Sequence, residues 1–537
     1  MKNKLRNFIC VLTASVFLLT GCETTSLDIN ENPLAITADS ADPTYVLNGL
    51  YFNLAFNAIT LSSFSEGIMR HSNLFGTYAN SSSAGSMNGP WSNTYTIANN
   101  LNFLEGLNAD NSIPVHYGIG QLAEVVAFTN LVDYIGTAVY SEAVSSEFDK
   151  PNLDSGQSIY TAMLAQLDEA ITNINSSTYS SLPSQDWIYN GDLDNWTRLA
   201  NSLKIKLYVQ ARLAGDDWDG DGVSNTNAIN SIVTQGNFIA ENSQDFQILH
   251  STSATEPDNR HPYFTANYLT GANGGYMSND FMNRLLNGQT VQDPRTPYYF
   301  YRQTLEDPQT LDPDGDLLPC DGNADYNYCY LGNGYWGRDH ADDEGIPNDG
   351  LYRTTYGIYP GGGAYDNGGG KPVTESAHIG GAGLRPMLLA SYSHFWLAEA
   401  VLTMGVTGDA RQLLEAGINL SFDKVADFAG TPMIAADKLD YITDVLANYD
   451  AADDAGKLSV VIEQFYIASF GNSIEAYNNY RRTGYPQLSS AVITNTNFPR
   501  SYFLPTSELN SNDNPDLEQK ELTDQVFWDT NPADFID

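Results

Sequence analysis

Apolar residues recur at helical spacing over most of this chain. In residues 158–174, five of them fall on one stripe at steps of four and three: Ile159, Met163, Leu167, Ile171 and Ile174. Similar spacing recurs in residues 44–107, 121–144, 196–213, 384–403 and 456–480. The pattern predicts long helices, and a polar break at residues 80–90 predicts two helices in the first segment. Asp194 or Asn195 is the predicted N-cap of the helix that begins near Trp196.

One central segment breaks this pattern. Residues 263–383 hold 21 of the 44 glycines and many of the tyrosines, a density through which long helices cannot run. We therefore predict a mainly α protein, with a helical scaffold at about 40–250 and 384–490 and a loop-rich insertion at about 251–383. Length alone suggests about three domains, but the pattern favours one domain over residues 22–537. Loops on a rigid scaffold commonly carry binding sites.

The charge balance excludes one class of function. The chain has 25 Lys plus Arg against 65 Asp plus Glu, a formal net charge of −40. A surface this acidic repels phosphate backbones, so nucleic-acid binding is excluded. Charged residues are only 17% of the chain and apolar residues are 42%, which indicates a folded protein and not a disordered acidic one.

The first 22 residues predict export. Lys2, Lys4 and Arg6 precede an apolar run at residues 8–20, which is too short for a bilayer core of about 30 Å. Residues 1–21 are therefore a predicted signal peptide. Residues 19–22 (LTGC) look like the lipobox of bacterial lipoproteins, which would make Cys22 the acylated first residue; an ordinary signal peptide is the alternative. Removal of residues 1–21 leaves 22 basic and 65 acidic residues, a net charge of −43.

Two further cysteines lie nine positions apart in the insertion. Because exported proteins fold in an oxidising environment, Cys320 and Cys329 are predicted to form a disulfide.

Several motifs resemble those of the SusD/RagB family, the surface nutrient-binding lipoproteins of Bacteroidota, and more narrowly its SusD-like branch. In chain order they are residues 27–33 (LDINENP), 131–143 (LVDYIGTAVYSEA), 196–206 (WTRLANSLKIK), 398–400 (AEA), 475–488 (EAYNNYRRTGYPQL) and 526–529 (VFWD). In the second motif, Ala138 and Val139 stand where the family more usually has Val-Pro. The motifs follow the family order over almost the whole mature chain.

This resemblance implies a scaffold of tetratricopeptide-like helix pairs and a non-catalytic protein anchored on the outside of the outer membrane. It also implies a SusC-like TonB-dependent transporter as partner, to which the protein delivers captured glycan. RagB-type relatives suggest peptide as the alternative cargo. The acidic surface favours a neutral glycan over a polyanionic one.

Aromatic residues are the candidate glycan contacts, because aromatic faces cover the C–H surfaces of sugars. Trp91, Trp196, Trp396 and Trp528 lie in predicted helices or family motifs and are predicted core residues, whereas Trp187, Trp218 and Trp336 lie in polar or glycine-rich sequence. We favour Trp336 with Tyr335, since Gly334 and Gly337 would let the loop display both rings; packing beneath the loop is the alternative. The predicted contacts are Trp336, Tyr335, Tyr276, Tyr78, Phe75, Arg70 and Trp218.

An Asp-rich run predicts a structural calcium site. Asp217, Asp219 and Asp221 alternate in D-x-D-x-D-G, so their carboxylates can converge on a hard cation, and Asn225 is a candidate fourth ligand. Ala228 stands where an EF-hand needs a bidentate Glu, so the motif is not a complete EF-hand. A solvated acidic turn is the alternative. Residues 312–316 repeat the alternation of Asp residues without the glycine.

Residues 338–344 (RDHADDE) are the segment that best suits an enzyme. His340 would be the metal ligand or base of a surface hydrolase, whereas a salt-bridged loop is the interpretation that we favour. In the scaffold motifs, Glu399 lies on an apolar stripe and is expected to be buried beside an arginine. Glu475, Arg481 and Arg482 sit at helical spacing and are expected to form ion pairs in the scaffold.

Overall fold

Helices occupy the two segments in which apolar residues recur every three or four positions. The computed structural model describes residues 41–536 except 146, 256–257, 270–274, 312–317, 319, 345–348, 351, 361–367, 371–379, 430–431 and 494–496. The predictions for the signal peptide, for Cys22 and for the Asp residues at 312–316 lie outside the described residues.

The described residues of the first scaffold segment contain six α-helices: α1 (Pro43–Ile68), α2 (Asn88–Leu107), α3 (Pro114–Ile135), α4 (Gly156–Ile174), α5 (Leu193–Gln210) and α6 (Asn225–Gln235). A two-stranded pair, β1 (Thr137–Ala138) and β2 (Asp154–Ser155), lies between α3 and α4. Neighbouring helices pack on one another, α1 on α2, α3 on α4 and α4 on α5. This confirms the mainly α prediction, with helices arranged as consecutive pairs.

The insertion contains short elements: α7 (Pro262–Phe264), α8 (Asn279–Asn287), α9 (Thr296–Tyr299), α10 (Pro308–Leu311), β4 (Phe300–Tyr301) and β5 (Thr355–Tyr356). It is closed at its base by an antiparallel pair, β3 (Phe246–His250) and β6 (Gly383–Leu388), in which His250 faces Gly383. The two ends of the insertion therefore leave the scaffold side by side. A disulfide joins Cys320 to Cys329, with Cα atoms 5.3 Å apart.

The second scaffold segment contains α11 (Ala390–Met404), α12 (Ala410–Ala429), α13 (Ala435–Ala451), α14 (Asp454–Ala468) and α15 (Ser473–Thr483), and the short α16 (Thr506–Ser511) follows. Helix α15 packs on α1 and α11 packs on α5, so the two segments form one scaffold. Within the described part of the chain, none of the helices is long and apolar enough to cross a membrane.

Three details of the sequence predictions are wrong. Residues 384–388 form β6 and not the start of a helix, because they pair with β3. Residues 456–480 contain two helices, since the chain turns at Gly471, which adopts a positive φ of 92°. The N-cap of α5 is Asp192, whose side chain accepts a hydrogen bond from the backbone N–H of Asn195, and not Asp194 or Asn195.

Buried charges join the scaffold helices. Glu399 is fully buried and accepts hydrogen bonds from Arg482 through both carboxylate oxygens, at 2.7 Å each, and from Arg212 at 2.9 Å. The expected arginine partner is thus confirmed. The expected ion pairing of Glu475 and of Arg482 in the scaffold is also confirmed, since Glu475 accepts a hydrogen bond from Lys206 of α5 at 2.6 Å.

Arg481 instead serves the aromatic core. Its guanidinium group lies 3.7 Å from the ring centre of Tyr477 and 4.7 Å from that of Trp528. The four tryptophans predicted to be core residues are all buried: Trp91, Trp196, Trp396 and Trp528.

Candidate functional site

A cavity of about 240 Å³ opens where the end of α1 meets the insertion. We call it the Glu66 pocket. Its lining combines three tyrosines with small polar residues: Ser63, Glu66, Ser72, Asn73, Tyr263, Ala266, Asn267, Gly275, Tyr276, Met277 and Tyr356. Ligand sites are typically concave, with apolar and aromatic walls and a few placed polar groups; this cavity has aromatic walls and a larger share of polar groups.

Backbone pairing fixes the two sides of the pocket. After α1 the chain turns back, so that the N–H groups of His71 and Ser72 donate to the carbonyl of Glu66. Asn73 N–H donates to the carbonyl of Tyr276 at 2.8 Å, beside an antiparallel bridge between Ser72 and Met277. The scaffold loop and the insertion therefore hold each other in register at this site.

Glu66 is the only charged residue in the 26-residue helix α1, and only 7% of it is exposed. Burial raises its pKa to about 7, although the Tyr263 hydroxyl and the Arg385 charge act in the opposite direction. The Tyr263 hydroxyl donates to a Glu66 carboxyl oxygen. At neutral pH, Glu66 therefore exchanges between a neutral acid, which can donate a hydrogen bond, and a carboxylate, which accepts one.

Asn73 offers unused hydrogen-bonding capacity. Both its side-chain nitrogen and its side-chain oxygen are buried, and neither has a hydrogen-bond partner among the described residues. Buried amide groups without partners are costly, so such a group is usually matched by water or a ligand. Asn73 lines the pocket, and its amide carries one donor group and one acceptor without partners in the described part of the chain.

The tyrosine walls are held from behind. Tyr263 and Tyr356 meet edge to face, with ring centres 4.6 Å apart. The Tyr276 hydroxyl donates to Asp349, at 2.6 and 2.7 Å from its two carboxylate oxygens. Guanidinium groups of Arg353 and Arg338 lie 4.1 and 4.7 Å from the Tyr276 ring centre. Burial, then hydrogen bonding to Asp349, raises the pKa of Tyr276 to about 12, so its ring is a neutral, fixed part of the wall.

Of the seven predicted glycan contacts, Tyr276 alone lines this pocket, where it is 3% exposed, and Phe75 packs on the edge of its ring at 5.8 Å. Arg70 is buried and donates to the carbonyls of Ile68 and Ser489 and to the Tyr78 hydroxyl. Tyr78 is also buried, against His340 and Phe498. Arg70 and Tyr78, both predicted glycan contacts, therefore tie the loop after α1 to the scaffold and are not among the residues that line the pocket.

The predicted display of Trp336 and Tyr335 is wrong. They are 2% and 3% exposed, and Trp336 stacks on Tyr352. Gly334 and Gly337 explain why. A Cβ at Gly334 would lie 2.0 Å from the Thr304 carbonyl oxygen, and one at Gly337 would lie 2.2 Å from that of Met277. These glycines permit close backbone packing, which buries the rings instead of displaying them.

The two remaining tryptophan candidates lie elsewhere. Trp218 is 3% exposed and contacts Tyr160, Tyr208 and Phe527, so its prediction as an exposed glycan contact is wrong as well. Trp187 is 41% exposed, and its indole N–H donates to Asn48 at 2.9 Å.

The segment that best suited an enzyme is a salt-bridged loop. His340 is fully buried, and burial together with the Arg70 charge holds its pKa well below the usual range. Arg338 pairs with Asp342 at 3.1 Å, and Asp339 accepts a hydrogen bond from Asn279 at 2.9 Å.

The sequence alone did not predict that Glu66, Asn73, Tyr263 and Tyr356 line a common pocket. A signal existed for Glu66, since a single acid in an otherwise uncharged helix is unusual. No signal joined it to Tyr263, because 197 positions separate them.

Comparisons with known proteins agree with this architecture. Residues 40–315 match a SusD-like family described as starch-binding and associating with the outer membrane. Residues 383–512 match the family described as SusD and RagB outer membrane lipoproteins. The fold and these matches define an outer-membrane protein of the nutrient-binding class. The chain belongs to the SusD/RagB family, whose SusD-like members are binding proteins.

Solved structures share the fold at low sequence identity. A SusD-like protein from Bacteroidetes matches with a TM-score of 0.67 and 19% identity, over 91% of this chain and all of that one. A chitin-binding SusD homologue from Flavobacterium johnsoniae matches with a TM-score of 0.61 and 20% identity, over 91% of this chain and 99% of that one. A SusD homologue from Bacteroides uniformis matches with a TM-score of 0.62 and 20% identity, over 91% of this chain and all of that one. These matches show a tetratricopeptide-like helical fold. The comparison with curated proteins found no match.

Proposed function

We propose that this protein captures a neutral oligosaccharide in the Glu66 pocket and delivers it, uncleaved, to a SusC-like TonB-dependent transporter. The proposal includes the lipid anchor at Cys22 and an orientation toward the cell exterior, which the delivery role requires.

The unpartnered Asn73 amide beside Glu66, in a tyrosine-walled cavity, is the observation that carries the proposal. Sugar hydroxyl and acetamido groups are both donors and acceptors, which is what the Asn73 amide and a carboxyl of pKa about 7 can match. Tyrosine rings suit the C–H faces of a sugar. The chitin-binding relative from Flavobacterium johnsoniae supports glycan as the cargo class. The strongly acidic chain disfavours a polyanionic glycan.

Calorimetric titration of the soluble chain without residues 1–22 tests the proposal, using a panel of neutral oligosaccharides, acidic oligosaccharides and peptides. We expect binding to a neutral oligosaccharide and at least about a tenfold loss of affinity in Asn73→Ala, or about 1.4 kcal/mol. Asn99→Ala is the matched control, because Asn99 is an exposed asparagine on α2; its affinity should equal that of the wild type.

Each alternative gives a different result. Binding of peptides alone would replace glycan by peptide as the cargo. Shortened oligosaccharides in the recovered ligand would indicate a surface hydrolase. Recovery of a TonB-dependent transporter with the full chain from detergent-solubilised outer membranes tests delivery, and its absence there would contradict the transporter partnership.

A further inference from the structure

The loop between α5 and α6 gathers three carboxylates. Oxygen atoms of Asp217, Asp219 and Asp221 all lie within 4.8 Å of one another. Burial, followed by the negative charge of Asp221 and then that of Asp217, raises the pKa of Asp219. Hydrogen bonds from Gly222 N–H to Asp217 and from Val223 N–H to Asp221 hold two of the carboxylates in the loop.

A buried, unmatched amide oxygen provides an independent sign of a ligand. Asn225 is 1% exposed. Its side-chain N–H donates to the Gly215 carbonyl at 2.9 Å, and its backbone N–H donates to the Asp216 carbonyl at 2.6 Å, which holds the amide against the start of the loop. Its side-chain oxygen has no hydrogen-bond partner among the described residues, and the same is true of a buried carboxylate oxygen of Asp219.

We infer that residues 217–225 bind a structural Ca²⁺ ion through the carboxylates of Asp217, Asp219 and Asp221 and the amide oxygen of Asn225. Hard cations take oxygen ligands, and Ca²⁺ accepts the flexible, carboxylate-rich geometry of a loop better than Mg²⁺ does. Gly220 and Gly222 adopt positive φ angles of 75° and 83°, which lets the chain turn tightly between the carboxylates.

The ion would fasten the loop to the core. Trp218, between two ligand residues, inserts into a cluster with Tyr160, Tyr208 and Phe527. Gln157 of α4 donates to the Trp218 carbonyl at 2.6 Å. Ca²⁺ therefore stabilises the junction of α5, α6 and the C-terminal segment, a role that is independent of the Glu66 pocket.

Terbium luminescence gives a direct test, because Tb³⁺ takes similar oxygen ligands and Trp218 lies in position to sensitise its emission. In the full chain, excitation of tryptophan should give Tb³⁺ emission that Ca²⁺ displaces. Saturating Ca²⁺, at about 10 mM, should raise Tm by about 3 °C over a chelator-treated sample. The double variant Asp219→Asn/Asp221→Asn should lose both responses, with at least about tenfold weaker binding.

Two further variants make the result decisive. Trp218→Phe should lose most of the sensitised emission while keeping the Ca²⁺-induced rise in Tm. Asp427→Asn/Asp440→Asn, which neutralises two exposed acids on α12 and α13, should keep both responses. The inference is overturned if Ca²⁺ raises Tm equally in the wild type and in Asp219→Asn/Asp221→Asn, or if Tb³⁺ emission survives in that variant.

Discussion

Two buried glutamates in this protein have opposite surroundings. Burial by itself would raise the pKa of Glu399, but the charges and hydrogen bonds of Arg482 and Arg212 outweigh it and lower that pKa. Glu66 is almost as buried, but the Tyr263 hydroxyl and the Arg385 charge do not offset the burial, and its pKa rises to about 7. Glu399 is thus a fixed anion in the scaffold, whereas Glu66 is a titratable acid in the pocket.

The difference separates structural polar groups from those left for a ligand. Around Glu399 each charge is matched within the fold, so that the network joins α11, α15 and the turn that follows α5. Around Glu66 the neighbouring Asn73 amide has no partner in the described part of the chain. Unmatched polar groups in a native pocket are the ones that a ligand can satisfy.

The largest expected effect comes from breaking the scaffold network. Arg482→Met keeps the length of the side chain but leaves Glu399 with Arg212 alone. We expect the free energy of unfolding, measured in urea, to fall by about 3–5 kcal/mol, because a buried charge loses its main partner. Arg411→Met is the control, since Arg411 pairs with Asp450 on the surface. Equal losses in the two variants would remove the distinction between buried and exposed pairs.

The second prediction concerns the pH dependence of stability. The pKa of Glu66 is raised in the folded state. Its contribution to the free energy of unfolding is therefore fully present below the unfolded-state pKa near 4.5 and is lost as pH rises toward 7. Stability relative to Glu66→Gln should therefore fall between pH 4.5 and 7, by up to about 1.4 kcal/mol per pH unit.

Glu399 should show the opposite trend. Its pKa is lowered in the folded state, so its stabilising contribution is present above the unfolded value and is lost as pH falls through the folded one. Urea unfolding of Glu66→Gln, Glu399→Gln and the wild type from pH 3 to pH 8 measures both trends. If the stability of the wild type relative to Glu66→Gln and relative to Glu399→Gln changed with pH in the same direction, the two glutamates would not have the opposite surroundings described here.

The same two residues show what the sequence can and cannot predict. Glu399 was predictable because its position on an apolar helical stripe requires burial, and a buried carboxylate requires a cation. The Glu66 pocket was not predictable, because its tyrosine walls come from residues about 200 and 290 positions later in the chain. Whether those residues meet Glu66 depends on how the insertion folds. The role of Gly334 and Gly337 was likewise ambiguous, since glycine permits both display of neighbouring rings and close packing, and only the Thr304 and Met277 carbonyls decide between them.

The smallest expected effect isolates a single hydrogen bond. Tyr263→Phe removes the hydroxyl that donates to Glu66, and we expect a loss of about 1 kcal/mol in unfolding free energy near pH 7. Since that bond lowers the pKa of Glu66, its removal should also move the pH-dependent loss of stability to higher pH. In a Glu66→Gln background the shift should vanish, because no carboxyl remains to titrate. A shift that persists there would mean that Tyr263 acts through another group, and the acid in the pocket would then lose its assigned partner.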